Sequence, residues 1–546
     1  MSSVNEDSPK SGSNLNLWTV TLPKCTETEK SETCKEDEHD VNYEKAVTLT
    51  GTGIFHLSIA LVSGFTFLAA GLQTNLNAYI LPSAQCDLSL TSEEMGLLNA
   101  AFLAGALTSS FLWGVLADMI GRRKVLVSGM LIDGLLSLFS SLSQRFYVLL
   151  IFRFFNGFIV GGPSALILAY MGEFFPERLR AKVICYVGVL WTLSWAIMPA
   201  IAWVVIPMQW SYSSDGFTYN SWRLLIAIVA VPSLLSSLML FFYPESPRFL
   251  LSKGRQQEAR DTLASIYSWN TGNSPDQYVV KSLCCEERKS DSCCQESESA
   301  CQAISTLVQQ GQGLFLMPTL KTTALTCSLF FTNMFGYYGL GLWLPELFNR
   351  FEQHYAMYPN ISVSVCELSS HFEKAVSGQQ TCDSRSVDSA VFTNSLIIGC
   401  FGLAGNFISG ILSGRLHRRS MPAFLMFASG FCVLAIYFLH NSTQNLIVSA
   451  LFQFFIGTAH LVINSLIVDM FPPSISGMGV CLTIFSGRLG AMLSNLVFGH
   501  LLDISCAVPI LLVAAVSFGG GFLSLLIPKH PYSEDQQKIV TVKEAA

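Results

Sequence analysis

The segment Gly114-Val-Leu-Ala-Asp-Met-Ile-Gly-Arg-Arg-Lys124 holds the densest set of chemically useful residues in this chain. Asp118, expected to be buried, stands just before Gly121 and the cations Arg122, Arg123 and Lys124. A carboxylate in such a place accepts bidentate hydrogen bonds from a guanidinium. Between two long apolar stretches, the segment suits a short cytoplasmic turn joining two membrane helices, with the cations holding it on the inner side. A charge latch of this kind favours one gate position over another. Asp118, Gly121, Arg122 and Arg123 are therefore candidate gating residues.

Three more charges fall inside apolar stretches: Asp133, Arg153 and Arg488. Charges at membrane depth are costly without water or a partner, so each is a candidate for a site or a gate. Arg153, expected near the inner or middle depth, has two readings: a partner of Asp118 in one conformation, or half of a fixed ion pair. Asn333-Met-Phe-Gly-Tyr-Tyr-Gly-Leu-Gly-Leu-Trp343 surrounds an expected helix break with aromatic rings. Asn333, Tyr337 and Tyr338 are candidate cavity residues for an amphiphilic or cationic ligand, the alternative for the two tyrosines being packing against lipid or neighbouring helices. Trp343 is either a further lining residue or part of the aromatic belt at the membrane surface. Trp191 and Trp195 lie one turn apart on one helix face. In Leu72-Gln-Thr-Asn-Leu-Asn77, Gln73 and Asn77 are polar enough to face a wet cavity, though neither titrates near neutral pH. His56, His440, His460 and His500 are isolated along the chain, and no catalytic constellation or phosphate-binding loop is legible. An enzyme, an ATP-driven pump and a bound cofactor are not expected.

The elements that must position these groups are membrane helices. The 546 residues are 51% apolar and only 13% charged, against about 25% charged in soluble proteins. Mean hydropathy is +0.45. Apolar blocks of roughly 20 residues recur, the length that crosses a bilayer, and backbone in lipid must satisfy itself as helix. The net charge of −6 gives no reason to expect nucleic-acid binding.

Twelve spans are expected, at about 54–81, 94–117, 124–143, 146–171, 181–206, 222–243, 322–347, 389–412, 421–439, 445–469, 477–500 and 506–528. The fold class is thus an all-α polytopic membrane protein of two six-helix bundles, 54–243 and 321–528. A disordered cytoplasmic tail, 1–53, a cytoplasmic central loop, 244–320, and a cytoplasmic C-terminal tail, 529–546, complete the chain. Cations follow the even spans: Arg122, Arg123 and Lys124; Arg178, Arg180 and Lys182; Arg248, Lys253, Arg255 and Arg260; Arg415, Arg418 and Arg419. Even spans therefore end in the cytoplasm. Gly114-Val-Leu-Ala-Asp118 has a fainter copy in Gly410-Ile-Leu-Ser-Gly414, which lacks the acid.

The outer loop 348–388 carries the glycosylation acceptor Asn360-Ile-Ser362, and Asn441-Ser-Thr443 is a second acceptor in a short turn. Cys366 and Cys382 share that outer loop, where they are either disulfide-bonded or free. Cys284-Cys285 and Cys293-Cys294 are adjacent pairs, a poor spacing for a tetrahedral metal site, so no metal is expected.

These features resemble the major facilitator superfamily, whose inner-loop motif Gly114–Lys124 matches closely. Within it the chain resembles the synaptic vesicle glycoprotein 2 family and its insect relatives. Tyr79-Ile-Leu-Pro-Ser-Ala84, Ser221-Trp-Arg223, Pro244-Glu-Ser-Pro-Arg-Phe249 and Phe335-Gly-Tyr-Tyr-Gly-Leu-Gly-Leu-Trp343 carry that likeness over about 54–528. The resemblance implies the major facilitator fold and alternating access around a central cavity lined by Trp191, Tyr337, Tyr338 and Trp343. It also implies gating roles for Glu173 and Arg180, which follow the pattern after span four. Ala70 and Gln73 stand where vesicle glycoprotein 2 members carry an Asp and a Glu, so proton coupling through span one is not expected. The shorter 348–388 loop argues against a role that needs a long luminal domain.

The expected function is transport of a small organic solute in a lipid bilayer. The alternative is a synaptic-vesicle-like membrane glycoprotein that acts in secretion through vesicle or trafficking proteins with little transport. The expected location is a multi-pass position in a cytoplasmic vesicle or the plasma membrane.

Overall fold

The computed structural model describes residues 40–208, 210–214, 216–283, 314–315, 319–357, 388–412, 420–439, 441–471, 476–505 and 507–527. The described residues are almost wholly helical. Helix α1 (Tyr43–Leu49) is followed by α2 (Ile54–Leu88), α3 (Ser92–Thr108), α4 (Leu112–Ile120), α5 (Arg122–Ser140), α6 (Phe146–Gly172), α7 (Glu177–Val205) and α8 (Ser221–Phe241). Two shorter helices, α9 (Pro247–Ser252) and α10 (Gln256–Thr271), separate these from α11 (Thr319–Met357), α12 (Ser389–Leu412), α13 (Ser420–Tyr437), α14 (Ser442–Met470), α15 (Ser476–Leu501) and α16 (Ala507–Ser524).

Among the described residues, nine helices are long and apolar enough to cross a membrane, or ten when the bent pair α3–α4 counts as one span. Helices α5 and α11 stand where the third and seventh spans were expected but fall short of that hydropathy measure. Each carries charge, Arg122 to Lys124 in one and Glu346 and Arg350 in the other.

Local chemistry sets several helix ends. Thr91 starts α3 with a capping box: its hydroxyl accepts from the Glu94 amide at 3.2 Å, and Glu94 accepts from the Thr91 amide at 3.0 Å. Between α3 and α4 the axis turns by 46°. Gly121 separates α4 from α5 at a φ of 115°, a conformation that glycine adopts without a Cβ penalty.

Three expectations need correction. The described part of the tail 1–53, expected to be disordered, is folded. Strand β1 (Asp40–Val41) pairs in parallel with β4 (Ser282–Leu283), and α1 buries Tyr43, Ala46 and Val47. The central loop 244–320 likewise contains α9, α10 and β4. Tyr43, Val47, Phe55, Phe174, Leu263 and Tyr278 form one apolar cluster that fastens these segments to the end of the membrane helices. Enough apolar surface is buried to order short segments that look polar when read alone.

The third correction concerns span seven. No break interrupts Asn333 to Trp343; α11 runs on for 39 residues and takes in the first ten residues of the expected outer loop 348–388. Its glycines serve packing instead. A Cβ at Gly339 would lie 2.8 Å from Ser494, and one at Gly341 would lie 3.2 Å from Trp195. The helix reaches past the expected boundary because Glu346 and Arg350, four residues apart, pair at 2.8 Å along it. A second departure from an all-helical chain is the hairpin β2 (Ser211–Ser214) and β3 (Phe217–Asn220) between α7 and α8.

Candidate functional site

Six of the seven candidate gating residues gather at one end of the first half, where α4, α5, α6 and α7 meet. Arg122 pairs with Glu173, the residue that caps α6. Glu173 also accepts a hydrogen bond from the Ser246 hydroxyl, and its backbone carbonyl accepts from Tyr43 at 2.6 Å. Glu245 receives the amides of Arg123 at 2.9 Å and Ser246 at 3.1 Å. Arg123 donates to the Phe241 carbonyl and sits 5.5 Å from that ring's centre. Arg180 holds Glu44 at 2.7 Å and the Gly172 carbonyl at 2.8 Å, so α1 is clamped onto the start of α7. Burial among these groups holds the Tyr43 hydroxyl well above the usual phenol range.

The expected role of Asp118 needs correction. Its side chain is 75% exposed and only 3.7 Å from Arg122, so it makes no bidentate pair. Glu173, at 8% exposure, is the buried acceptor. Asp118 lies in the last turn of α4 with its carboxylate turned to solvent, and periodicity alone did not show which way that turn faces. Gly121 is required by its φ of 115°, and a Cβ there would also push aside the Glu245 carboxylate, 2.4 Å away, which holds the Arg123 and Ser246 amides. Gly121→Ala is expected to cost about 1–3 kcal/mol of backbone strain, read as a lower thermal midpoint in detergent.

Arg153 is not part of this cluster and does not meet Asp118. It lies seven residues from the start of α6, toward the end opposite Glu173, and is fully buried. Its guanidinium donates to the Gln73 carbonyl at 2.8 Å and to the Gln73 side-chain oxygen at 3.3 Å, and it lies 5.0 Å from the centre of the Phe102 ring. Gln73 donates to Ser137 at 2.7 Å, and Asn77 donates to the Leu98 carbonyl at 2.9 Å. Both candidate cavity residues are thus closed between helices, at 0% and 2% exposure. Asp133 belongs to the same network. Asn156 donates to one of its oxygens at 2.8 Å, and Ser233 bonds the other at 2.7 Å.

The aromatic candidates lie where the halves meet. Trp195 stands edge-on to Tyr337 at 5.2 Å and tilted to Tyr338 at 6.2 Å. The α7 backbone at Trp195 approaches Gly399 of α12 so closely that a Cβ there would lie 2.4 Å from it. Trp191, half-buried, packs on Phe67 at 4.9 Å within the first half. Trp343 is 1% exposed and stacks on Phe498 at 6.0 Å, so neither the belt reading nor direct solvent contact describes it in this conformation.

Sequence reading missed His460. Its ring is stacked between Tyr337 at 5.3 Å and Phe330 at 5.4 Å. Nδ1 lies 3.0 Å from Asn333 Oδ1, and Nε2 lies 3.0 Å from Asn464 Nδ2. The Asn333 amide nitrogen is engaged by the Ile456 carbonyl at 3.4 Å, so its oxygen faces the imidazole. Facing the Asn333 oxygen, Nδ1 is the donor of that bond. The pair His460 and Asn464 share a helix face and are legible in the sequence; Asn333, far away along the chain, is not.

Two arginines of the second half cross to the first. Arg488 donates to the Ala106 carbonyl at 2.5 Å, the Ser110 hydroxyl at 2.8 Å and the Gly161 carbonyl at 3.3 Å. The break after α3 leaves carbonyls without helical partners, and a cation suits that negative end. Arg350 bonds Ser92 at 2.8 Å, Glu346 at 2.8 Å and Asp503 at 3.1 Å.

The sequence from 63 to 494 matches the model of the Major Facilitator Superfamily. The chain belongs to that superfamily. Its fold is similar to the inward-open conformation of the xylose transporter XylE from E. coli, with a TM-score of 0.62 at 17% identity, covering 87% of this chain and 97% of that one. A crystal structure of a D-xylose-proton symporter gives a TM-score of 0.59 at 16% identity, covering 87% and 98%. At this identity the likeness is one of fold alone. Among curated proteins, synaptic vesicle glycoprotein 2C of Rattus norvegicus is 25% identical, covering 92% of this superfamily member and 82% of the relative. Synaptic vesicle glycoprotein 2B of Mus musculus is 24% identical, covering 90% and 86%.

Cys86, at the end of α2, is disulfide-bonded, whereas Cys185, Cys327, Cys400, Cys432 and Cys481 are free. Cys366, Cys382, the central-loop cysteines, Asn360, Gly414 and Arg415 lie outside the described residues. Asn441 is described and exposed, and its side chain caps α14 by accepting from the Thr443 amide at 3.0 Å.

Proposed function

We propose that this chain is a secondary carrier that moves a small organic solute across a membrane by alternating access, with twelve spans in two six-helix bundles. One observation carries the reading: the two ends of the molecule are joined differently. At the Ser92 end Arg350 ties the second half to the first, and Gly96 meets Gly499 so closely that a Cβ would lie 2.6 Å away. At the Glu173 end the described bonds of the gating cluster run to Tyr43, Glu44, Glu245, Ser246 and Phe241, all in the first half or its flanking segments. A carrier whose halves are closed together at the Ser92 end has this pattern, with Arg488 of α15 joining them again beyond the other end of α3. The superfamily membership and the fold shared with xylose carriers support it.

The Glu173 end is read as cytoplasmic from its cations. The disulfide-bonded Cys86 at the other end agrees, since disulfides persist on the oxidising side. Asn360 and Asn441 are read as glycosylation acceptors on that same side. Gating is assigned to Glu173, Arg122, Arg123, Arg180 and Gly121, with Asp118, exposed and 3.7 Å from Arg122 in this state, read as engaging more closely in another. The solute is read as binding beside Trp195, Tyr337, Tyr338 and His460, where the rings of both halves converge.

Purified protein in liposomes is expected to catalyse counterflow of one member of a panel of sugars, organic cations and organic anions. Tyr337→Ala is expected to lower the initial rate by about tenfold or more. Absence of counterflow for the whole panel sinks the transport reading. A second reading is favoured by one observation: Gln73 and Asn77 spend their hydrogen bonds inside the first half. Under it the protein, like relatives named as synaptic vesicle glycoproteins, resides in a secretory vesicle and acts through trafficking partners. Silent liposomes together with a stably co-purifying protein would favour that reading.

A further inference from the structure

We propose that Asp133 is a proton-binding site inside the first half, and that its charge state governs how tightly Arg153 ties α6 to α2. The use of that proton to drive solute movement rests on the transport reading; the site itself does not.

Among the described residues the other two buried acids each touch an arginine: Glu173 pairs with Arg122, and Glu346 pairs with Arg350. Asp133 differs. It lies well inside α5 at 0% exposure, and its direct partners are Asn156 and Ser233, both neutral. A carboxylate in hydrocarbon with no contacting cation is expensive when charged. Protonation is the inexpensive alternative.

The Ser233 bond accommodates either state without moving a heavy atom. With the carboxylate charged, the Ser233 hydroxyl donates to Oδ2. With a proton added to Oδ2, the acid donates to Ser233 Oγ, and the serine hydroxyl turns away. One proton is gained, and no other bond forms or breaks. Asn156 donates to Oδ1 in both states.

The charged surroundings are simple. From α6, Arg153 acts on Asp133 through space. From α2 the network receives Gln73, and from α8 it receives Ser233; neither titrates. Arg223, at the start of α8, is engaged by Asp87 at 2.5 Å. On α5 itself the described cations lie in the first turn at Arg122, Arg123 and Lys124.

Protonating Asp133 therefore removes the counter-charge of Arg153. The guanidinium is left with two Gln73 oxygens and the face of Phe102, and its Nε already lacks a partner. Ser137 accepts from both Gln73 at 2.7 Å and Asn156 at 3.0 Å, so the change at Asp133 reaches α2 by two routes. Helix α2 packs in turn against α11 of the second half.

Infrared difference spectra of the purified full-length protein test the site without any solute. Acidification is expected to raise a protonated-carboxyl band in the wild type that is missing in Asp133→Asn. Ser233→Ala removes a hydrogen bond to the charged form, so the band should persist with its midpoint moved to higher pH. Arg153→Gln should move the midpoint the same way. An unchanged band in Asp133→Asn, or an unmoved midpoint in Ser233→Ala, overturns the proposal. Coupling is read separately in liposomes. Asp133→Asn should retain counterflow and lose accumulation driven by an imposed pH gradient. Retained gradient-driven accumulation overturns the coupling step. A wild type without counterflow sinks the transport reading while leaving the infrared result to decide the proton site.

Discussion

Glu173→Gln is expected to destabilise the protein by roughly 3 kcal/mol, the low end of what unpairing a buried charge costs. Arg122 loses its buried carboxylate, and the side chain keeps 21% exposure, which lets water recover part of the loss. The Ser246 hydroxyl loses its charged acceptor at the same time. The effect should spread to α1, because Tyr43 donates to the carbonyl of the same residue. Asp118→Asn makes the contrast. With a 75% exposed carboxylate at 3.7 Å from Arg122, it should change stability by no more than about 0.5 kcal/mol. Thermal unfolding of both variants in one detergent decides the matter. Equal losses would show that Asp118 balances Arg122 as much as Glu173 does, and would sink the assignment of Glu173 as its main partner.

Much of the helical plan was legible because lipid-length apolar blocks and turn cations are local signals. The Gly114–Lys124 turn was legible for the same reason, since glycine with positive φ and a run of cations lie within one short segment. The balance of charge within it was not. Whether Arg122 faces Asp118 or Glu173 depends on how α4, α5 and α6 pack, and Glu173 is 51 residues further along the chain by number than Arg122. Asn333, Tyr337 and His460 illustrate the same limit: the aromatic run was visible, while the imidazole stacked on it came from another helix. The expected break in α11 failed because glycine marks close approach as readily as a bend, and here Ser494 and Trp195 occupy the space. The folded part of the N-terminal tail was hidden for a related reason. Tyr43, Ala46 and Val47 bury little by themselves and acquire a core only against Phe174, Leu263 and Tyr278.

Arg350→Met is expected to open the Ser92 end. The arginine holds Glu346 from its own helix, Asp503 beyond α15 and Ser92 from the opposite half. Methionine keeps much of the stem's volume and removes all three bonds. Glu346, at 3% exposure, is then a buried carboxylate without a cation. Unpairing of this kind costs about 3–5 kcal/mol, so the state that lets water reach Glu346 gains on the closed one. Hydrogen exchange reads the shift: the first turns of α3 should exchange at least about tenfold faster, the equivalent of 1.4 kcal/mol. Asp503→Asn should do much less, because Asp503 is 54% exposed and water already shares its charge. The double variant Glu346→Gln with Arg350→Met separates the two causes. If the orphaned carboxylate drives the opening, removing its charge restores much of the stability and brings exchange at the start of α3 back toward the parent rate. If the double variant is no more stable than Arg350→Met alone, the closure rests on Ser92 and the Gly96–Gly499 contact instead, and Glu346 has no part in holding it.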